Sequence, residues 1–385
     1  MQEAGRMASD PARMPGKFLR PDIRINLSEV NNVAKYKAVV TSEMSEEYLA
    51  HLQQLCDVTL SGWLEKDGWV LSEDEAAVIF HDAEIVVVGY DPVSKKVLDA
   101  CPNIRLIACT RGNPVNVDCS EASKRGIPVI FTPGRNANSV AEFLLGELIG
   151  LIRWIPLSYH QIRNGRYLGE PTEDIYRVPP RDDIVWGLSM DQDDNPFKTY
   201  QGYELFHRTF GMIGYGAVGR RLAKFLKAMD MRIVIYDPYL PPAAAEADGV
   251  EMLPLDDLLR VSDFVSLHCK VTEETKGMFG AREFSLMKPT AVFINTARGV
   301  IVQQKALIDA LEQKQISGAV LDVYWEEPLP ANHPLLQMDN VVMTPHIAGS
   351  SSDVITHHSI MIVEDVERFI KGEPLQYVFN KEVLK

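Results

Sequence analysis

Short apolar runs and stretches of helical spacing alternate along most of the 385 residues. Residues 36–41 read as a strand, and Ser45 or Ser42 can cap a helix over 46–55. The runs 58–60, 77–80, 85–88, 104–109 and 129–131 have strand length, with helical patterns between them at 94–100 and 119–125. Strands alternating with helices predict a parallel sheet covered on both faces. This defines a first α/β unit over roughly residues 36–138.

Residues 139–167 read as one long helix, bent or broken near Pro156, where the ring removes a donor. The stretch 168–203 follows, with four prolines (Pro171, Pro179, Pro180, Pro196) and no clear periodicity. It is too long for a plain connection, so it is an excursion packing on a neighbour, a flap, or a solvated loop. Further apolar runs at 210–213, 233–236, 264–267, 291–294, 319–321 and 341–343 build a second α/β unit. After Gly349 the last 36 residues have helical spacing, with Ile355, Ile362, Val366 and Phe369 on one side. No internal repeat is visible.

The second unit opens on the most informative stretch, residues 210–237. A strand leads into Gly214, Gly216 and Gly219 in G-x-G-x-x-G spacing, then a helix, a second strand and Asp237. Gly214 permits the tight turn, Gly216 admits a pyrophosphate to the backbone, and Gly219 allows close packing of helix on strand. Ala217 and Val218 open the helix, whose bare N–H groups and positive dipole end suit phosphates. Asp237 can accept from adenosine ribose hydroxyls and repels a 2′-phosphate, which favours NAD over NADP. A glycine turn between ordinary elements is the alternative.

Composition narrows the setting. The length favours two domains, and 46% hydrophobic residues suffice for their cores. A net charge of −14 without a basic block argues against nucleic acid or an anionic membrane as partner. The five scattered cysteines read as reduced thiols of a cytoplasmic protein. The apolar segment 139–157 carries Glu142, Glu147 and Arg153, so it is a buried or interface helix and no membrane span. The first 35 residues lack a secretory core and read as an arm.

In an open parallel sheet, ligands sit beyond the carboxyl ends of the strands. There the second unit places Asn295-Thr296-Ala297-Arg298-Gly299, then Asp322 with Glu326-Glu327 following, then Thr344-Pro345-His346. An arginine, an acid and a histidine thus fall at three successive strand ends. His346 can act as general acid–base, Glu327 can orient it and raise its pKa, and Arg298 can hold a carboxylate and adjacent carbonyl in its fork. Asp322 can accept from a nicotinamide carboxamide. His268, Thr296, Ala297 and Gly349 are further cofactor-side candidates. Plain alternatives stand beside these: His346 as a packing histidine, Arg298 in an ion pair, Glu326 as the important acid, Asp322 as a turn cap. His357-His358 lacks the additional ligands a metal site needs, so no metal is expected.

GMIGYGAVGR at 211–220, FINTARG at 293–299, AVLDVYWEEPLP at 319–330, TPHIAG at 344–349 and RGIPVIFTPGRNANSVAEF at 125–143 together resemble the D-isomer-specific 2-hydroxyacid dehydrogenases. The group includes D-3-phosphoglycerate dehydrogenase and the glyoxylate/hydroxypyruvate reductases. The resemblance covers roughly residues 36–380. It implies α/β architecture with two doubly wound parallel-sheet domains: a flavodoxin-like substrate domain (36–138 plus 349–385) and a Rossmann NAD-binding domain (139–348, with the excursion 168–203), after an extension over 1–35. It implies an Arg298–Glu327–His346 catalytic set, NAD as cofactor, a small 2-hydroxy or 2-keto acid as substrate, and a homodimer joined through the helix starting near Ser139.

Three features depart from the family pattern. The first-domain loop that binds the substrate carboxylate reads Arg111-Gly112-Asn113-Pro114. There Pro114 removes an N–H donor and Arg111 adds a charge that can meet an acidic or polyhydroxylated substrate, or an ion pair. Lys270 stands where proline is usual, and the acidic excursion is the third. Rival readings of the same fold are an NAD(H)-binding corepressor and a phosphonate dehydrogenase. A formate dehydrogenase would pair the histidine with glutamine where Glu327 stands.

Overall fold

The computed structural model describes residues 35–62, 70–169, 171–176 and 195–384. All but the last residue of the arm expected over 1–35, and most of the central excursion (170 and 177–194), lie outside the described residues. Among the described residues, twelve strands form two wholly parallel sheets.

The first sheet contains β1 (Lys37–Val40), β2 (Asp57–Leu60), β3 (Ile85–Val88), β4 (Leu106–Cys109) and β5 (Val129–Ile130), in the order β2-β1-β3-β4-β5. β3 and β4 are apolar at every position because helices cover both faces. Ala38, Val40, Ile85, Val87 and Leu106 pack with Leu52 on one face. Val39, Val86, Val88, Ile107 and Cys109 pack with Ala76, Phe80 and Val97 on the other. The two-residue period of a strand divides one apolar run between two cores.

The chain returns to this sheet at its end. Ile362, Val363 and Val366 of the helix Asp353–Lys371 join the Ala38–Val40 face. The helix stops at Gly372, whose φ of 70° suits the left-handed cap. The buried Asp365 carboxylate then accepts from the backbone N–H groups of Gln376 and Tyr377, both at 2.8 Å. Phe379 donates its N–H to the Val129 carbonyl, so the tail runs along β5.

The second sheet contains β6 (Thr209–Ile213), β7 (Arg232–Tyr236), β8 (Glu251–Met252), β9 (Phe264–Leu267), β10 (Val292–Asn295), β11 (Gly318–Leu321) and β12 (Val341–Met343), in the order β12-β11-β10-β9-β6-β7-β8. The helix Ala137–Ile152 lies on one face, where Ala141, Leu144 and Leu148 meet Phe210, Met212, Ile235 and Ile294. On the other face Phe279, Phe284 and Phe293 pack ring against ring within 5.2 Å.

Two expectations from the pattern are corrected and a third is made definite. Residues 77–80 are not a strand; they complete the helix Glu73–Ile79 and its cap, started by a capping box between Ser72 and Glu75. A four-residue apolar run is too short for its period to separate helix from strand. The helix expected over 139–167, bent or broken near Pro156, is indeed broken there into two helices, Ala137–Ile152 and Ile155–Arg163. They are parted at Trp154, whose φ is 57°. Pro156 has no N–H to give the Ile152 carbonyl, so the first helix stops there and the proline sits in the first turn of the next. The C-terminal helix ends at Lys371, and the residues beyond it form the tail along β5. Among the described residues no helix is long and apolar enough to cross a membrane.

Strand order reverses where β6 lies beside β9 while β7 continues on the other side, and a ligand crevice opens at such a point. Gly214 follows β6 there, at φ 87°. A Cβ at this position would lie 2.7 Å from the Cys269 nitrogen and 2.8 Å from the His268 carbonyl carbon. Any other residue must both adopt a left-handed backbone and push β6 from β9. Gly214→Ala is therefore expected to cost roughly 2–4 kcal/mol of stability, read by chemical denaturation. An unchanged denaturation midpoint would remove this steric role.

Candidate active site

The glycine turn builds a phosphate cradle. Gly216 is the N-cap of the helix Ala217–Lys227 and supplies no side-chain cap. Among the described residues no protein acceptor meets the N–H groups of Ala217, Val218 and Gly219; the first bond of the helix is from Arg220 to Gly216. The space a Cβ of Gly216 would enter is open. Asp237 closes the cradle, its two oxygens accepting from the Tyr215 N–H at 2.9 Å and the Tyr239 N–H at 3.0 Å. Bare helix N–H groups, an open approach and a fixed acid beyond the second strand fit a dinucleotide without a 2′-phosphate. His268, at the end of β9, shares a 3.0 Å hydrogen bond with Ser266, and burial pushes its imidazole down to about 4. It is neutral at physiological pH and suits a place beside the cofactor rather than a proton-transfer role.

The three strand-end residues come together as a pair and a neighbour. His346 Nδ1 lies 2.7 Å from Glu327 Oε2. Glu327 Oε1 accepts from the Tyr324 N–H at 3.0 Å, which fixes the carboxylate. Burial alone would raise the Glu327 pKa, but the bonds from His346 and Tyr324 outweigh it and hold the carboxyl below its ordinary range. The pair is thus present at neutral pH and lost only as acid protonates Glu327. A carboxylate can only accept, so Nδ1 carries the proton and Nε2 is left for a ligand. The His346 and Glu327 side chains are 43% and 38% exposed, open to a reactant. Arg298 is also exposed and near enough to Glu327 to lower its pKa further.

The loop that carries His346 is held from below. The Asp322 carboxylate, buried at the end of β11, accepts from the Thr344 hydroxyl at 2.7 Å, the Ile347 N–H at 2.8 Å and the Ala348 N–H at 2.9 Å. This is the turn-capping role that the sequence left open. These bonds bracket His346, whose φ of 57° is a left-handed conformation uncommon for histidine. Tyr324 adds a 2.9 Å bond from its hydroxyl to the Thr344 carbonyl. Burial first, then the Asp322 charge, pushes that phenol up to about 12, so it stays a donor. The arginine loop is tied to the same place: a Cβ on Gly299 would lie 2.2 Å from the Tyr324 carbonyl carbon. Trp325 is turned inward, its indole donating to the Val302 carbonyl at 2.6 Å and stacked on His333.

The first sheet presents its own strand-end loops. Gly112 and Asn113 are exposed, and their N–H groups meet no acceptor among the described residues. Arg111 lies over the Tyr90 ring at 4.4 Å and forms no ion pair among the described residues. The loop after β5 reaches the second sheet on both sides. A Cβ on Gly134 would lie 2.7 Å from Ala217 Cβ, and one on Gly349 would lie 2.8 Å from Asn136 Nδ2. Arg135, between Gly134 and Asn136, falls inside the 125–143 segment of the resemblance, but nothing in its period marks it for a role. His357 and His358 serve this arginine: His357 Nδ1 donates to its carbonyl, and Arg135 Nη1 donates to His358 Nδ1 at 2.8 Å. Among the described residues no cluster of three metal-ligating side chains is present.

A separate cavity lined by Arg153, Tyr167, Phe197 and Tyr203 contains none of these strand-end residues. The strand-end residues gather instead where the loops of the two sheets meet, at the Gly134–Ala217 and Asn136–Gly349 contacts.

Comparison with known proteins agrees with this geometry. Residues 186–348 match the profile of the D-isomer specific 2-hydroxyacid dehydrogenase, NAD binding domain. The chain is 34% identical to glyoxylate reductase of Korarchaeum cryptofilum, over 91% of this chain and 98% of that one. It is 30% identical to D-3-phosphoglycerate dehydrogenase of Methanocaldococcus jannaschii, over 89% of this chain and 59% of the relative. The structure of D-lactate dehydrogenase from Escherichia coli superposes with a TM-score of 0.64 at 26% identity, covering 89% of this chain and 99% of that one. With its two parallel sheets, its dinucleotide cradle and relatives matched nearly end to end, the chain belongs to the D-isomer-specific 2-hydroxyacid dehydrogenases, NAD-dependent oxidoreductases.

Proposed function

We propose that the protein interconverts a D-2-hydroxy acid and its 2-keto acid, with His346 as general acid–base, Glu327 as its orienting partner and Arg298 as the substrate clamp. The observation that carries this is the 2.7 Å His346–Glu327 bond on the same sheet edge as the glycine cradle, with Arg298 beside it. Gly214, Gly216, Ala217, Val218 and Gly219 would hold the pyrophosphate and Asp237 the ribose. His268, Thr296, Ala297 and Gly349 would line the nicotinamide side. NAD(H), when bound, supplies or accepts the hydride. Arg298 holds the substrate carboxylate and polarises the adjacent carbonyl, and the N–H groups of Gly112 and Asn113 share the carboxylate. His346 gives a proton from Nε2 to the carbonyl oxygen during reduction and takes it back during oxidation. Asp322 acts through the loop it anchors.

Two further readings belong here. Ile155, Tyr159, Ile162, Tyr176 and Phe197 are exposed on and after the second helix of the broken pair, which supports a homodimer through this region. All five cysteines are free thiols, which supports a cytoplasmic setting.

NADH oxidation with a panel of small, branched and phosphorylated 2-keto acids tests the reaction. His346→Ala is expected to lower kcat by roughly 10²–10⁴-fold while NADH still binds. Full turnover in that variant would remove His346 from the mechanism, and no turnover by the wild type would favour a non-catalytic NAD(H)-binding protein.

Asp322→Asn replaces an acceptor-only group by an amide and leaves a loop donor unpaired, at about 1–3 kcal/mol. We expect kcat to fall by roughly tenfold or more with the KM for NADH nearly unchanged. An unaltered kcat would show that the His346 loop does not need this anchor.

Sedimentation is expected to give a dimer that Tyr159→Glu dissociates. A monomeric wild type would refute that assembly.

A further inference from the structure

Two arginines share the first sheet's strand-end edge. Arg111 follows β4, and Arg135 lies in the loop after β5. Arg111 rests on the Tyr90 ring, and both Tyr90 and Arg111 are near enough to Arg135 for their charges to act on it. Burial holds the Arg135 guanidinium below its usual range; Tyr90 partly offsets this and the Arg111 charge adds to it.

The position is fixed by contacts on either side. Gly134 packs against Ala217 at the start of the cofactor helix, and Asn136 packs against Gly349, three residues beyond His346. Arg135 is therefore held at the crevice between the sheets. Its support is uncharged. His358 Nε2 lies 2.8 Å from the Glu43 carbonyl, which can only accept, so Nε2 carries the proton. His358 Nδ1 then accepts from Arg135, and burial, pushing the imidazole down to about 4, keeps it neutral.

The protein carries 53 acidic residues and a net charge of −14. Even so, among the described residues neither Arg111 nor Arg135 has a carboxylate partner. Two neighbouring cations left unpaired in an acidic protein, at the mouth of a cleft, leave an uncompensated positive potential that an anion would neutralise. The substrate's first carboxylate is already provided for by Arg298 and the Gly112–Asn113 amides.

Resting on the reaction proposed above, we propose that Arg111 and Arg135, beside Tyr90, form a subsite for a second anionic group on the substrate, either a distal carboxylate or a phosphate. The preferred reactant is then a dianionic or more highly charged 2-keto acid rather than a monoanionic one.

Steady-state kinetics with glyoxylate, oxaloacetate and 3-phosphohydroxypyruvate test this, using Arg111→Ala, Arg135→Ala and Arg135→Lys. We expect wild-type kcat/KM to favour one of the two doubly anionic acids, and the one favoured identifies the group as carboxylate or phosphate. Arg111→Ala should raise KM for that acid by roughly ten- to a hundredfold and leave KM for glyoxylate and NADH within about twofold. Arg135→Lys should recover part of the loss in Arg135→Ala, which guards against a folding defect in the latter. An equal rise for glyoxylate would instead place Arg111 on the first carboxylate, and a rise confined to NADH would make the pair a cofactor phosphate site; either overturns the subsite.

If the wild type turns over no keto acid, the reaction itself fails and the subsite is read separately by calorimetry. D-malate and 3-phospho-D-glycerate are compared with D-glycerate on the NAD-loaded protein. A doubly anionic advantage lost in Arg111→Ala supports the subsite, and no such advantage in the wild type refutes it.

Discussion

The buried carboxylate of Asp322 sets the geometry of the reacting edge. It ends β11 and gathers the Thr344 hydroxyl and the Ile347 and Ala348 N–H groups onto two oxygens. Hydrogen bonds to a buried charge are the stronger kind, and here they hold a histidine in a left-handed backbone conformation. From that fixed loop His346 reaches Glu327, and Glu327 reaches back to the Tyr324 N–H. Gly299 admits the arginine loop against the same Tyr324 backbone. A carboxylate, an imidazole and the arginine loop thus meet around one stretch of backbone at Tyr324.

The parallel sheets make this possible. Every strand runs the same way, so every strand end delivers its loop to the same edge. The glycine turn after β6, His268 after β9, Arg298 after β10 and Asp322 after β11 are products of one topology. The first sheet does the same with Gly112, Arg111 and Arg135. The loop after β5 bridges the two edges through Gly134 and Asn136. Charge is distributed with similar economy: a neutral histidine carries the half-buried Arg135, which leaves that cation's electrostatic demand for something that enters the crevice.

Much of this was legible in the chain. The apolar runs located eleven of the twelve strands, because a strand buried on both faces reads as a continuous apolar stretch; β8, only Glu251–Met252, carries no such run. The glycine spacing with Asp237, and the Arg298, Glu327 and His346 positions, followed from spacing plus the rule that ligands sit at strand ends. Where period failed, the reason was local. At 77–80 a short run could not separate helix from strand.

What the sequence determined by itself was therefore the class of fold, the glycine turn with its acid and the types of side chain at the strand ends, since these rest on neighbours within a few residues. Tertiary structure alone decided that Asp322 anchors the His346 loop, that Glu327 rather than Glu326 meets the histidine, and that Arg135 joins Arg111 on the opposite rim. Each of those contacts links residues between 19 and 26 positions apart. Such pairs form only when strands and helices pack, and no period in the chain encodes them.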